Sequence, residues 1–112
     1  MIFIQFSNHA KKLNKEEWSD RLQTLSSGNK GANTFLEEAG ENLAENMPLR
    51  SIDYDPAGKG DDLVIALGSI DTDLRHTVQS PTELYLHQNS DGVIASLEIK
   101  NSKGIITLLR FI

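Results

Sequence analysis

Four aspartates surround one turn near the middle of the chain, and carboxylates so close together could bind a hard cation. The stretch from Ile52 to Asp62 has the sequence IDYDPAGKGDD. Calcium is bound by several carboxylate and carbonyl oxygens, so a calcium site is one hypothesis for this turn. The aspartates that would supply the ligands are Asp53, Asp55, Asp61 and Asp62.

The match to a calcium-binding loop is incomplete. Asp53, Asp55 and Gly58 fit the first, third and sixth positions of the pattern D-x-[DN]-x-[DN]-G-x5-E. Ala57 stands at the fifth position, and Val64 stands at the twelfth, where a bidentate glutamate is needed. We therefore interpret the aspartates as groups that cap and solvate a turn, with a cation site as the alternative.

Histidine offers a second set of ligands. His76 and His87 lie in two segments of strand character separated by Pro81. If the chain reverses at Pro81, the two segments could pair and bring the imidazoles together, and a histidine pair with an acid could bind a transition metal. Their spacing matches no known ligand pattern, so the region of His76 and His87 is a weaker alternative for a small-ligand or metal site.

Two arginines lie among apolar neighbours in predicted strands. Arg75 and Arg110 could bind an anionic ligand or a carboxylate of a partner protein, because a guanidinium matches carboxylate geometry. The interpretation we favour is that they form cross-strand ion pairs with Glu98 or with the central aspartates. They remain candidate interaction residues.

The pattern of nucleophiles and acids argues against an enzyme. The chain has no cysteine and no G-x-S-x-G sequence, which excludes a cysteine nucleophile and a hydrolase of the nucleophile-elbow type. Paired acids such as Glu83 and Glu98 would need a cleft between them for glycosidase chemistry, and the sequence indicates none. We predict no catalytic residue and no cofactor.

Charge and hydropathy exclude further classes of partner. The formal net charge is −5 and the 11 lysines and arginines are scattered, so nucleic-acid binding is disfavoured. No apolar run approaches the length of a membrane span. The opening apolar stretch is too short for the core of a secretion signal. We expect a cytoplasmic protein.

The first residues have a different character from the rest of the chain. Ile2, Ile4 and Phe6 alternate on one side of an extended segment, and Phe3 lies on the other. Residues 1–12 are therefore expected to form an apolar arm or an extra strand. An exposed apolar strand binds readily to a sheet edge, so these four residues are candidates for contact with an unknown partner protein or a second copy.

The clearest local signal is a helix within residues 13–28. Asn14 is a good N-cap, and Glu17 three residues later completes a capping-box pattern. Trp18, Leu22 and Leu25 then form one apolar stripe at helical spacing, and Gly28 is a natural stop. We expect an amphipathic helix from about Lys15 to Ser27, with Trp18 packed against a sheet.

Residues 33–112 are predicted to form a β-rich body. A hairpin around the aspartate turn is followed by alternating strands, with turns at Asn89–Gly92 and Asn101–Gly104. Residues 41–46 fit either a short helix or a continued strand. The fold class we predict is α+β: one N-terminal amphipathic helix packed on a strongly bent antiparallel sheet of 5–7 strands, or on such a sheet closed into a small barrel, in one domain.

Several short motifs follow one another in a specific order along the chain. They are Glu17-Trp18, Pro48-Leu49, Ile52 to Pro56, Gly58 to Asp62, His76 to Val78 with Pro81, Leu97 to Ile99, and Leu108 to Phe111. In their order and spacing, from Leu13 to Phe111, they resemble a family of short bacterial proteins classed only as a domain of unknown function. The resemblance implies a small stand-alone protein without assigned activity, cofactor or catalytic residue.

Together these observations favour a non-catalytic protein-interaction module, with a homodimer as one form of it. The alternative is a small-ligand or metal-binding domain that uses the acidic turn 53–62 or the region of His76 and His87.

Overall fold

The computed structural model describes residues 9–55 and 59–112, which form one helix and eight strands. A 3-10 turn, Lys15–Glu17, leads into helix α1, Trp18–Gly28. The strands are β1 His9–Lys12, β2 Asn33–Glu38, β3 Glu41–Asp55, β4 Asp62–Ser69, β5 Thr72–Gln79, β6 Pro81–Gln88, β7 Ile94–Asn101 and β8 Ile106–Phe111.

The N-terminal helix forms where the capping signal predicts it. The backbone N–H of Asn14 donates to Glu17 Oε1 at 3.3 Å. Trp18, Leu22 and Leu25 are buried, so the apolar stripe packs against the sheet, mainly on β3. The Trp18 indole N–H donates to the carbonyl of Leu13, and the ring meets Tyr54 edge-on with centroids 5.2 Å apart. Trp18 is therefore the core anchor that the sequence predicted.

The strands form one antiparallel sheet in the order β1-β6-β7-β8-β2-β3-β4-β5. The described residues contain eight strands rather than the predicted 5–7. β5 at one edge approaches β7, which is five places away in the order, so the sheet must be strongly curled. In the part of the chain that the structure describes, the sheet does not close into a barrel, since β1 and β5 form two separate edges.

Two segments form strands although their amino-acid composition does not strongly favour a strand. His9–Lys12 lies in the segment that was expected to be an apolar arm or an extra strand, and it pairs with β6 from Gln88 to Tyr85. Residues 41–46, which fit helix or strand, form the start of the 15-residue strand β3. Main-chain pairing with β2 decides their conformation there, and helical composition is too weak a preference to compete.

The core lies between the helix and one face of the sheet. Leu36, Leu63, Ile65, Leu84 and Leu97 are fully buried in it. Residues alternate along the strands, so the opposite face of β6, β7, β8 and β2 carries partly exposed polar and aromatic side chains. No helix among the described residues is long and apolar enough to span a membrane.

Two equivalent turns connect the last three strands. In the first, Asn89 Oδ1 accepts from the backbone N–H groups of Asp91 and Val93, at 2.9 and 3.1 Å. In the second, Asn101 Oδ1 accepts from Lys103 and Ile105, at 2.9 Å in both cases. Gly92 and Gly104 have φ of 81° and 79°, which explains the shared sequence Asn-Ser-x-Gly. Both turns were predicted.

Candidate functional site

A groove of about 590 Å³ opens beside the β4–β5 hairpin. Three cationic side chains of the described chain line it: Lys30, Arg50 and Arg75. Its apolar part includes Pro48 and Ile70. We call this surface, defined by these five residues, the basic groove.

The position of Arg50 depends on a β-bulge. Leu49 pairs with Leu67 and Ser51 pairs with Ala66, so Arg50 is an extra residue in β3 without an opposite partner in β4. A bulge bends the strand and redirects the side chain of its extra residue. Arg75 lies opposite Ala66 on the neighbouring strand β5. The bulge therefore places Arg50 at the same groove as Arg75.

The tip of the hairpin supplies the apolar wall. Ile70 is 98% exposed at the turn between β4 and β5. The turn depends on Gly68, whose φ is +125° and whose added Cβ would lie 1.9 Å from the carbonyl oxygen of Thr72. Only glycine fits this position without movement of the backbone. The hairpin thus holds a large apolar side chain in water at the end of the sheet.

The third cation is fixed through a loop. Gly31, which follows Lys30, donates its N–H to the carbonyl of Leu49 at 2.8 Å, and Leu49 donates to Ala32 at 2.8 Å. Gly31 has a φ of +86°, which lets the loop turn beside β3. These two hydrogen bonds hold the backbone next to Lys30 against the strand that carries Arg50.

Only weak ion pairs occupy the arginines of the groove. Asp73 Oδ1 lies 3.5 Å from Arg50 Nη1, and Asp73 Oδ2 lies 3.9 Å from Arg75 Nε. The three side chains are between 50% and 68% exposed. Both distances exceed that of a good charge-assisted hydrogen bond, about 2.7–2.9 Å. An incoming carboxylate could therefore displace or join Asp73 between the two guanidinium groups at small cost.

The structure describes the acidic turn 53–62 except for residues 56–58, and the aspartates on either side of that gap have different surroundings. Asp55 pairs with Asp62 across β3 and β4, while Asp61 Oδ1 accepts a hydrogen bond from the Tyr54 hydroxyl at 3.3 Å. Asp53 and Tyr54 alternate along β3, so Asp53 projects to the other face of the strand from Tyr54. Among residues 9–55 and 59–112, no group of three or more acids and histidines is placed to hold a metal ion.

The alternative in which the chain reverses at Pro81 and brings His76 and His87 together is contradicted by the strand pairing. β5 pairs with β4 and β6 pairs with β1 and β7, so the chain does not fold back on itself at Pro81. His76 Nε2 lies 2.9 Å from Glu38 Oε1, and His87 Nε2 lies 2.9 Å from Glu98 Oε1. Each imidazole is therefore bound to its own glutamate.

The two predicted interaction arginines lie on different surfaces. Arg75 lines the basic groove and pairs with Asp73, and neither Glu98 nor the central aspartates is its partner. Arg110 pairs across strands with Glu37 at 3.3 Å and stacks over Phe35, with its guanidinium carbon 5.7 Å from the ring centroid. Its predicted cross-strand ion pair forms, but with a different acid.

The other interaction candidates, Ile2, Phe3, Ile4 and Phe6, lie outside the described residues. Sequence reasoning also missed four of the five members of the basic groove: Lys30, Pro48, Arg50 and Ile70. The one available signal was Ile70, an isolated isoleucine in the polar stretch Gly68-Ser69-Ile70-Asp71. An apolar residue exposed in a turn can indicate an interaction surface. Nothing in the sequence indicates the bulge at Arg50.

Comparison with known proteins gives one match. The family model described as "Family of unknown function (DUF5335)" matches residues 9–112. No curated protein and no solved structure matches the chain.

Proposed function

Because this chain belongs to the DUF5335 family, whose function is unknown, we propose a function from its geometry. The protein is a non-catalytic interaction module, and the basic groove binds a segment of a partner protein that carries carboxylates beside an apolar side chain. We place this activity in the cytoplasm, for which the absence of cysteine in the sequence is the support.

The observation that carries the proposal is a local reversal of charge. The chain has a formal net charge of −5, yet Lys30, Arg50 and Arg75 line one groove together. An acidic segment would be repelled by most of the surface and attracted here. Such complementarity sets the orientation and the association rate of a complex.

Charge alone would give weak binding, so the apolar wall matters. Exposed ion pairs contribute only about 0.2–1 kcal/mol each. Burial of apolar area adds roughly 25 cal/mol per Å², and Ile70 is almost fully exposed. Arginines beside an exposed isoleucine provide both contributions, and arginine is enriched among residues that dominate binding energy.

A direct test uses synthetic peptides and charge-reversed protein. We expect a fluorescent peptide of alternating glutamate and leucine to bind in fluorescence anisotropy, more weakly as salt rises because the contact is exposed. The double variant Arg50→Glu/Arg75→Glu should weaken binding by about tenfold or more, since two favourable contacts become repulsive. Ile70→Ser should weaken it by about threefold or more through lost apolar contact.

Arg110 provides the matched control for this test. It is 53% exposed and ion-paired with Glu37, much as Arg50 is 50% exposed and paired with Asp73. The variant Arg110→Glu should bind the peptide as the wild type does, and a lysine–leucine peptide should not bind. Equal weakening by Arg110→Glu and by the single variant Arg50→Glu, which change the net charge by the same amount, would show that only net charge matters, and the proposal would be rejected.

Self-association is a second form of the same function, supported by one feature of the sheet. Within the described residues β5 is an edge strand, paired only with β4, and an edge offers main-chain groups to another strand. We expect a concentration-dependent shift in sedimentation that deletion of residues 1–7 removes. A monomer at all concentrations would reject this form and leave the peptide test unaffected.

A further inference from the structure

A second cleft, of about 260 Å³, lies where the curled sheet brings β5 near the β7–β8 turn. It is lined by Glu38 at the end of β2, Ser80 after β5, and Ser102 and Lys103 in the turn, with further polar neighbours. We call it the seam cleft, and it involves none of the residues of the basic groove.

Glu38 is an oriented and ionised carboxylate in this cleft. Thr107 donates its hydroxyl to Glu38 Oε1 at 2.8 Å, and His76 Nε2 lies 2.9 Å from the same oxygen. Burial raises the pKa of Glu38, but the hydrogen bonds from Thr107 and His76 and the charge of His76 outweigh it and hold the pKa below 4.5. Within residues 9–55 and 59–112 both contacts use Oε1, which leaves Oε2 as an acceptor.

The walls of the cleft are held by the backbone. Ser102 donates its N–H to the carbonyl of Ser80 at 2.9 Å, which joins the turn to the end of β5. Ser80 has a φ of +51°, and Ala39, next to Glu38, has a φ of +52°. Left-handed conformations in residues other than glycine cost free energy, and they cluster at functional sites. Ser80 itself lines the cleft, whereas Ala39 and Gly40 form the two-residue turn between β2 and β3, in which positive φ is the usual geometry.

We propose that the seam cleft binds a small zwitterion of the amino-acid class. Its ammonium group would donate to Glu38, and its carboxylate would meet Lys103 and the hydroxyl groups of Ser80 and Ser102. Glu38 alone would select a cation and Lys103 alone an anion, so the presence of both in one cleft favours a ligand with both charges. The volume lies below the roughly 300–1,000 Å³ of drug-sized sites, which restricts the ligand to a small molecule.

NMR titration of the full chain tests this directly. Glycine and L-alanine are the probes, with ethylammonium and acetate as ligands that carry one charge each. We expect both zwitterions to shift the amide signals of residues 77–80 and 101–105, and each single-charge ligand to bind more weakly. Glu38→Gln and Lys103→Met should each weaken glycine binding by about tenfold, the effect of losing one charge-assisted hydrogen bond.

The outer face of the sheet supplies matched controls. Glu98 has the same 2.9 Å contact with a histidine, and Lys100 lies 4.0 Å from Glu83. Glu98→Gln and Lys100→Met should bind glycine as the wild type does. If Glu38→Gln unfolds, Lys103→Met still decides the question, because Lys103 lies in an exposed turn.

Three results would overturn the proposal. They are shifts that map away from the cleft, ethylammonium binding as tight as that of glycine, and equal affinities for the Lys103→Met and Lys100→Met variants. None of them affects the peptide test of the basic groove.

Discussion

The two histidine–glutamate pairs have the same length and differ in what they connect. His87 and Glu98 lie on β6 and β7, which already share a ladder of main-chain hydrogen bonds. His76 and Glu38 lie on β5 and β2, three places apart in the sheet order. The first pair therefore adds to an existing contact, whereas the second pair joins strands that the backbone ladder does not join.

This difference predicts that the position of an ion pair affects stability more than the length of its contact does. Side-chain exposures are 27% and 26% in the first pair and 19% and 30% in the second. Only the second includes a third member, Thr107, which is fully buried. A buried donor that loses its acceptor is costly, so the pair that holds the curl of the sheet should also be the more sensitive to mutation.

Removal of each glutamate gives the largest expected difference. Glu38→Ala leaves the Thr107 hydroxyl buried without its acceptor and should lower the free energy of unfolding by about 1–3 kcal/mol. Glu98→Ala removes a partly exposed pair between strands that stay bonded, and should cost at most about 1 kcal/mol. Urea denaturation of both variants measures the difference. Equal losses would mean that the pair across the seam has no special role.

The contribution of the third member can be measured separately. Thr107→Val keeps the shape of the side chain and removes the donor to Glu38, so we expect a loss of about 1 kcal/mol in unfolding free energy. Thr82 is the matched control, because its hydroxyl donates to the carbonyl of Lys100 at 3.1 Å in an exposed position. Thr82→Val should change stability by less than about 0.5 kcal/mol. A Thr82→Val loss as large as that of Thr107→Val would contradict the argument from burial.

Acid should weaken the contact between β5 and β2, because protonation of Glu38 removes the charge that binds His76. Burial raises the pKa of Glu38, but Thr107 and His76 stabilise the charged form more strongly. The pKa of Glu38 in the folded protein is therefore lower than its ordinary value of 4.5. The stability that Glu38 adds is therefore fully present above pH 4.5 and is lost as the pH falls through the lower folded-state pKa.

Glu38→Gln removes this titration. We expect its unfolding free energy to fall less steeply than that of the wild type between about pH 3 and pH 5, as measured by urea denaturation at each pH. Parallel curves would show that Glu38 titrates alike in the folded and unfolded chains.

The smallest expected effect lies on the outer face beside the His87–Glu98 pair. The Tyr85 hydroxyl donates to Glu83 Oε1 at 2.5 Å, and this hydrogen bond is the main reason that the pKa of Glu83 is lowered. Tyr85→Phe should raise the pKa of Glu83 towards its usual value, as followed by NMR of the carboxyl carbon. Little change in overall stability is expected, because the contact lies on a solvated face. An unchanged pKa of Glu83 would show that a hydrogen bond from water stabilises its carboxylate as well as the Tyr85 hydroxyl does.

Local signals in the sequence were sufficient for several elements. Asn14 and Glu17 with the stripe from Trp18 to Leu25 predicted the helix, because capping and helical periodicity are properties of neighbouring residues. The two Asn-Ser-x-Gly turns were also found from sequence, since their hydrogen bonds form within five residues. Residues 1–12 were predicted as an apolar arm or an extra strand, and the sequence left this open because His9–Lys12 carries no alternation; pairing with β6 is what makes it a strand.

The candidate sites were harder to predict, for the same physical reason. Arg75 was identified, yet its partners in the basic groove come from a loop and from a bulge in another strand. Glu38 was not predicted as a site residue, because it is one of 16 acidic residues in the sequence. Its partners His76 and Thr107 lie 38 and 69 positions away along the chain. The alternative that joined His76 and His87 required β5 and β6 to pair across Pro81, and in the sheet these two strands have other partners.

The amino-acid sequence by itself determined the capped helix, the turns, the alternating strands around an aspartate-rich hairpin and the resemblance to a family of unknown function. Only the tertiary structure decided the order of the strands, the bulge that redirects Arg50 and the curl that brings Glu38 to His76. Short-range preferences act within a few residues, whereas strand order and sheet curvature depend on hydrogen bonds and packing between segments that are distant along the chain.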